Sequence, residues 1–151
     1  MRRNQSGQSL VELGVVVALF ITLTLGAVEF GYAFMALHII THASSVGARY
    51  ASALDVVGSR GTCGVITAAG QSQVQGRVTS QIGGVVNVTN VAVTQTPPPA
   101  AVTPPTPCPT FTEIPTVTVT VTGSIPYLFG LLGSGALSFT RAQTFRDEGR
   151  F

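Results

Sequence analysis

Residues 10–30, LVELGVVVALFITLTLGAVEF, form an apolar run that decides the fold of this chain. At about 1.5 Å per residue, a helix of this length extends about 31 Å, which is close to the hydrocarbon thickness of a bilayer. The only charged residues in the run are Glu12 and Glu29, one near each end. Because an acid inside a membrane helix is costly, we expect Glu12 to have a role. The run predicts a membrane-spanning helix.

The basic residues around this run predict its orientation. Arg2 and Arg3 precede it, and the next basic residue in the chain is Arg49. Cytoplasmic flanks of membrane helices are enriched in Lys and Arg, so we expect the N-terminus in the cytoplasm. Everything after about residue 33 then lies outside, and the absence of proline predicts that the helix continues to about residue 54.

Three interpretations of the N-terminal region are open at this point. An ordinary secretory signal fits the basic start and a small-x-small sequence at residues 31–33, although the apolar run exceeds the usual length of such signals. A plain membrane anchor would leave Glu12 at the headgroup level, where an acid costs little. A prepilin-type signal fits the spacing, since Gly7 is followed by Glu12 five positions later and then by an apolar helix.

A longer pattern supports the third interpretation through its resemblance to a known family. The matching residues are Gly7, Leu10-Val11-Glu12-Leu13, Val28-Glu29-Phe30-Gly31, Ala43 and Gly47-Ala48-Arg49. Over about residues 7–51 the chain resembles the TadE-like family of minor pilins, or pseudopilins, of tight-adherence (Tad) pilus systems. A weaker similarity covers the closing residues 144–148. The chain departs from the usual family pattern at Leu13, where relatives carry an aromatic residue, and in lacking a proline within the apolar helix.

The resemblance implies processing and assembly partners. A membrane prepilin peptidase would cut after Gly7, so that Gln8 becomes the first residue and Glu12 the fifth. The new ammonium group at Gln8 begins a helix whose positive dipole end favours anions, and a neighbouring subunit's Glu12 can meet it in an apolar bundle. The expected partners are therefore other Tad pilins, the pilus assembly platform, the peptidase and the lipid bilayer.

Together these expectations define a pilin-like α+β architecture with four parts. We expect a leader at 1–7, a transmembrane helix at 8–33, an outer continuation of the helix at 34–55, and an exported head at 56–151. The protein would be a single-pass protein of the bacterial inner membrane, with a periplasmic or extracellular head and the pilus as a further location. Its function would be assembly of a pilus for adherence.

Regular patterns in the head predict one short helix and an antiparallel sheet packed on the long helix. Residues 67–82 carry Val74, Val78 and Ile82 at helical spacing and predict an amphipathic helix. Residues 86–94 predict a strand with a phase slip, and 117–122 alternate strictly between valine and threonine. A third strand is indicated by alternation at Leu137, Phe139, Gln143 and Phe145.

Small residues recur along the outer part of the long helix at Ala36, Ala43, Gly47 and Ala51. A stripe of this kind lets another backbone approach closely, either from the protein's own head or from a second helix in an assembly. We favour packing against the protein's own sheet for residues 43–51, because an exported sheet must bury its apolar face on something.

Three further features belong to the exported part. Cys63 and Cys108 would form a disulfide in an oxidising compartment, worth about 4 kcal/mol, with two free thiols or a metal site as alternatives. The Pro-rich segment 96–109 predicts a semi-extended, solvated loop rather than a ligand for a partner domain. The apolar patch 125–133 is too short to span a membrane; it is core, lies on the outer leaflet or contacts a neighbouring subunit.

Nothing in the sequence indicates catalysis, so we expect a non-enzyme without cofactor, metal or small-molecule substrate. His38 and His42 are four residues apart, but no glutamate stands beside the first histidine as in a zinc protease helix. Eight basic and six acidic residues give a net charge of +2 without a basic cluster suited to nucleic acid. The alternative function is an unprocessed, single-pass, membrane-anchored extracytoplasmic binding or sensor domain.

Overall fold

The computed structural model of the protein describes residues 6–54, 58–97, 114–130, 133 and 135–148. A long helix comes first, followed by a 3-10 turn, a shorter helix and three strands. Their bounds are α1 Ser6–Ser52, the turn Thr62–Gly64, α2 Ala68–Ile82, β1 Asn87–Thr96, β2 Thr116–Pro126 and β3 Ala136–Arg146. This order confirms the predicted α+β fold with a long N-terminal helix and a small antiparallel sheet.

Helix α1 is one uninterrupted element of 47 residues, only part of which is covered by the head. Large apolar side chains in its first half, such as Leu10 and Phe20, are exposed. From Ala36 onward every turn contributes a fully or largely buried residue. The helix therefore supports the head with its C-terminal half and leaves its N-terminal half bare.

Helix α2 is set by a cap at each end and an apolar stripe between them. The Thr67 hydroxyl accepts a hydrogen bond from the Gly70 amide at the N-terminus, and Gly83 ends the helix in the left-handed conformation at φ 62°. The structure confirms the predicted amphipathic helix, and its apolar positions are buried: Val74, Val78 and Ile82.

The sheet has the order β1-β2-β3, and both pairings are antiparallel. Burial alternates along the central strand β2, whose apolar side chains face the helices: Val117, Val119, Val121 and Ile125. The predicted phase slip in the first strand is a β-bulge between Val88 and Asn90. The bulge restores the alternation and keeps the rest of β1 in register with β2.

Glycines lie where α1 and β2 approach other elements most closely. A Cβ atom at Gly47 of α1 would overlap the Val78 side chain of α2 and lie 3.4 Å from a Val119 methyl of β2. A Cβ atom at Gly123 of β2 would lie 2.7 Å from a Val86 methyl. These positions need glycine because no space remains for even one methyl group.

Two predicted features of the head lie wholly or partly outside the described residues. Cys63 is half-buried in the 3-10 turn, whereas Cys108 is not among the described residues, so their disulfide stays a prediction. The same holds for the Pro-rich loop at 96–109 beyond its first two residues. The patch at 125–133 divides: Ile125 belongs to the core, while Leu128 and Phe129 are exposed.

The contact at Gly47 predicts opposite effects of one substitution at two helical glycines. Gly47→Ala should lower the unfolding free energy by about 1–3 kcal/mol, because the new methyl group overlaps Val78. Gly76→Ala, on the exposed side of α2 with nothing within 4 Å, should raise it by about 0.5–1 kcal/mol. Thermal unfolding of the full-length protein in detergent, followed by circular dichroism, measures both. A higher melting temperature for both variants would contradict this packing.

Candidate functional site

The N-terminal end of α1, which the head leaves uncovered and which we call its free end, contains the three residues expected to take part in processing. The Gly7–Gln8 peptide bond lies in the first turn of the helix, and a Cβ atom at Gly7 would meet nothing within 4 Å. The Gln8 Nε2 atom donates a hydrogen bond to Glu12 Oε1 at 3.3 Å, and both side chains are exposed. All three side-chain positions are therefore uncovered within the described part of the chain.

The bare half of α1 has the properties of a membrane-anchoring helix. Within the described residues, Gly7–Ser52 is the one helix long and apolar enough to cross a membrane, with a mean hydropathy of 2.3 in its most apolar stretch. None of that stretch is buried by the rest of the protein. A core helix of a soluble protein would be largely covered, whereas an anchor or a signal sequence is not. The observation supports membrane anchoring. The orientation of the helix in the membrane is predicted only from the charged residues that flank it.

Glu29 is buried at the point where the bare and covered parts of α1 meet. Only 3% of its surface is exposed, and neither carboxylate oxygen has a hydrogen-bond partner within the described part of the chain. It lies seven residues before Ala36 and eleven before Ile40, which places all three on the side of the helix that faces the head. The sequence located this charge at the end of the apolar run but gave no sign that the side chain is covered.

The small residues of α1 line the same head-facing side. Ala36, Ala43 and Ala51 have no exposed surface, and Gly47 lies beneath the sheet and α2. The stripe is therefore occupied by the protein's own head over this part of the helix.

The two histidines of α1 point elsewhere. His38 and His42 are exposed, and the described residues contain no group of three His, Cys, Asp or Glu side chains placed to hold a metal ion.

A buried ion pair holds the opposite end of the head. Arg60 Nη2 lies 2.7 Å from Asp147 Oδ1, and neither side chain has exposed surface. The two residues are 87 positions apart in the chain, so local sequence patterns do not indicate the pairing. A buried charge left alone is costly, so each partner depends on the other.

Arg60 also satisfies the C-terminal carbonyl groups of α1. Its Nη2 atom donates to the carbonyl oxygens of Ala51 at 2.9 Å and Ser52 at 3.3 Å, and its Nε atom donates to that of Leu54 at 2.9 Å. The Ala51 and Ser52 carbonyl groups belong to the last turn of α1 and carry the negative end of the helix dipole, which favours a cation. Arg60 therefore caps the long helix.

Gln95 of β1 completes the cluster around Asp147. Its Nε2 atom donates to Asp147 Oδ2 at 2.7 Å, and its Oε1 atom accepts from the Ile66 amide at 3.0 Å. The cluster thus joins the end of α1, the loop before α2, β1 and the residue after β3. Because the Arg60 and Asp147 side chains are fully buried and the groups of the cluster are paired with one another, its role is to hold the head together.

The described geometry defines a class of protein: a bare apolar helix carrying a small α+β head on its second half. Residues 7–49 match the family described as TadE-like protein. The match confirms the resemblance drawn from the N-terminal pattern, and it covers most of α1 and ends before the head. A search of curated proteins and a search of solved structures found no match.

The buried ion pair predicts a large loss of stability when one partner is removed. Arg60→Met should lower the unfolding free energy by about 3–5 kcal/mol, because Asp147 and the end of α1 lose their cation. Arg77→Met, at an exposed position of α2, should change it by less than about 0.5 kcal/mol. Thermal unfolding in detergent gives the comparison, and equal melting temperatures for the two variants would refute the assigned role of Arg60.

The environment of Glu29 predicts that its removal stabilises the head. Glu29→Met should raise the unfolding free energy by about 1–3 kcal/mol, because a buried carboxylate without partners is replaced by an apolar side chain of similar length. The matched control Glu12→Gln, at the exposed free end of α1, should leave the melting temperature unchanged. A lower melting temperature for Glu29→Met would mean that the carboxylate has a stabilising partner in the folded protein.

Proposed function

We propose that the protein is a minor pilin or pseudopilin that acts in the assembly of a Tad pilus for adherence. The observation that carries this proposal is the bare half of α1, with Glu12 near its free end, within the segment that matches the TadE-like family. The match to a family of structural pilus components is consistent with the head, whose buried Arg60–Asp147 ion pair stabilises packing. The function is assembly rather than catalysis.

Processing would take place at the free end of α1. A prepilin peptidase cuts after Gly7, the leader 1–7 is removed, and Gln8 becomes the first residue of the mature chain. Residues 8–33 span the inner membrane with the N-terminus in the cytoplasm, and 34–55 carry the helix out to the exported head at 56–151. The accessibility of Gly7 and Gln8 in the first helical turn supports this route.

The chemistry of the new N-terminus gives Glu12 its role in assembly. Cleavage creates an ammonium group at Gln8, added to the positive end of the helix dipole. In an apolar bundle of helices this charge needs a counter-ion, and the exposed Glu12 carboxylate of a neighbouring subunit can provide it. Because the pair forms only at one relative height of two helices, it sets the axial register between subunits.

The exported head would supply the contacts that distinguish this subunit from other pilins. Its expected partners are other Tad pilins and the assembly platform, with the predicted disulfide between Cys63 and Cys108 holding the Pro-rich loop to the head. The TadE-like match ends at Arg49 and does not include the exported head.

Replacing Glu12 tests the proposed function. Glu12→Gln should reduce co-purification with other Tad pilins from cell membranes at least about tenfold, since a charge-assisted hydrogen bond worth about 1.5–3 kcal/mol is lost. Glu148→Gln, an exposed acid at the far end of the head, should have no effect. Immunoblots of the membrane fraction check that both variants reach equal amounts.

An unchanged recovery of partner pilins with Glu12→Gln would contradict the assembly role. The unprocessed, membrane-anchored binding or sensor domain would then be the better account, because such an anchor does not depend on an acid at this position.

A further inference from the structure

The turn between β2 and β3 presents exposed apolar side chains at one end of the head. We refer to its described residues 127–130 as the β2–β3 tip, within which Leu128 and Phe129 are 48% and 49% exposed. A backbone hydrogen bond from Tyr127 to Gly135 closes the turn, and Gly130 adopts a positive φ of 68° that favours glycine. The tip is thus a defined turn with apolar groups directed away from the core.

Strand β2 runs antiparallel to α1, so the tip that follows it lies toward the bare half of the helix. Gly47 lies beside Val119, and Ile40 lies beside Gly123. Moving four residues along β2, about 13 Å, therefore corresponds to moving seven residues back along α1, about 10 Å. Each further strand residue brings the chain closer to the predicted membrane span.

Continuing this register gives the height of the tip on α1. Leu128 lies five residues beyond Gly123, about 16 Å along the strand direction, which corresponds to about nine to eleven helical residues before Ile40. That position is level with Glu29 to Gly31, at the outer end of the apolar run. The hydrogen bond from Tyr32 Oη to the Val85 carbonyl, at 3.4 Å, independently places this end of the head beside the same turn of α1.

The end of the head that faces the bare helix carries no exposed charge within the described residues. No Asp, Glu, Lys or Arg occurs in the sequence between Glu113 and Arg141, and Arg141 pairs with Val121, away from the tip. Glu29 is the one acid at this level of α1, and it is covered. An uncharged end with exposed leucine and phenylalanine side chains suits the interface of a lipid bilayer.

We propose that the β2–β3 tip inserts Leu128 and Phe129 into the outer leaflet of the membrane that α1 crosses. The inference rests on the proposed membrane placement of α1, since the tip reaches lipid only if the apolar run ends at the membrane surface. The exposed Phe30 of α1 lies at the same height and the exposed Phe34 about one helical turn beyond it, so the tip extends the lipid-facing surface of the helix.

Contact with lipid gives the head a defined position before assembly. The head rests on the membrane surface at two places, the helix and the tip, instead of turning freely about α1. Entry into a filament then requires Leu128 and Phe129 to leave the lipid and to be covered by a neighbouring subunit or to face solvent. The tip would hold the subunit in the membrane until a partner replaces the lipid.

Tryptophan fluorescence tests the contact, because the chain contains no tryptophan. Three single-tryptophan variants of the full-length protein, Phe129→Trp, Phe20→Trp and Tyr50→Trp, are reconstituted into phosphatidylcholine vesicles with or without bromine on the acyl chains. Phe20 lies in the middle of the apolar run, and Tyr50 is exposed near the far end of α1. Circular dichroism checks folding, and Leu128→Trp replaces Phe129→Trp if that variant does not fold.

The proposal predicts loss of emission in brominated lipid for Phe129→Trp and Phe20→Trp, and no loss for Tyr50→Trp. Quenching at Phe20 without quenching at Phe129 overturns the lipid contact but leaves the proposed function intact. A blue-shifted Phe129→Trp emission that bromine does not quench and that depends on protein concentration also overturns it, in favour of a second copy of the chain. If Phe20→Trp is not quenched, the membrane placement of α1 fails and the tip contact fails with it.

Discussion

The close contact between the small-residue side of α1 and the valine side of β2 is the constraint on which the rest of the structure depends. A sheet of three strands has one apolar face to bury, and here that face packs against α1. Gly47 allows Val119 and Val78 to reach the helix backbone. The same contact determines the height at which the head is attached to the helix.

That height divides α1 into two parts with different surroundings. The C-terminal part of the helix belongs to the core and ends at the Arg60–Asp147 cluster, which caps it and joins it to the sheet. The N-terminal part of the helix is bare and apolar. Glu29 lies at the boundary, buried and without a partner within the described residues, and the β2–β3 tip lies level with it. The exposed charges of the described head lie away from this end.

The elements of the fold follow from local patterns, which explains why most of them could be predicted. The valine–threonine alternation of β2, the spacing of Val74 and Val78 in α2, and the phase slip that became a β-bulge each depend on neighbouring residues alone. The Arg60–Asp147 pair, the burial of Glu29 and the division of the 125–133 patch depend on how distant segments dock. Periodicity carries no information about such contacts, and the resemblance ends before the head.

The most direct test of the account is the N-terminus and intact mass of the protein from membranes of cells with and without the prepilin peptidase. The account predicts a mature chain that begins at Gln8 only when the peptidase is present, which would place the bare helix on the pilin pathway. A chain that begins at Met1 in both cells would contradict it in favour of a simple anchor, and a start near Phe34 would identify an ordinary secreted protein.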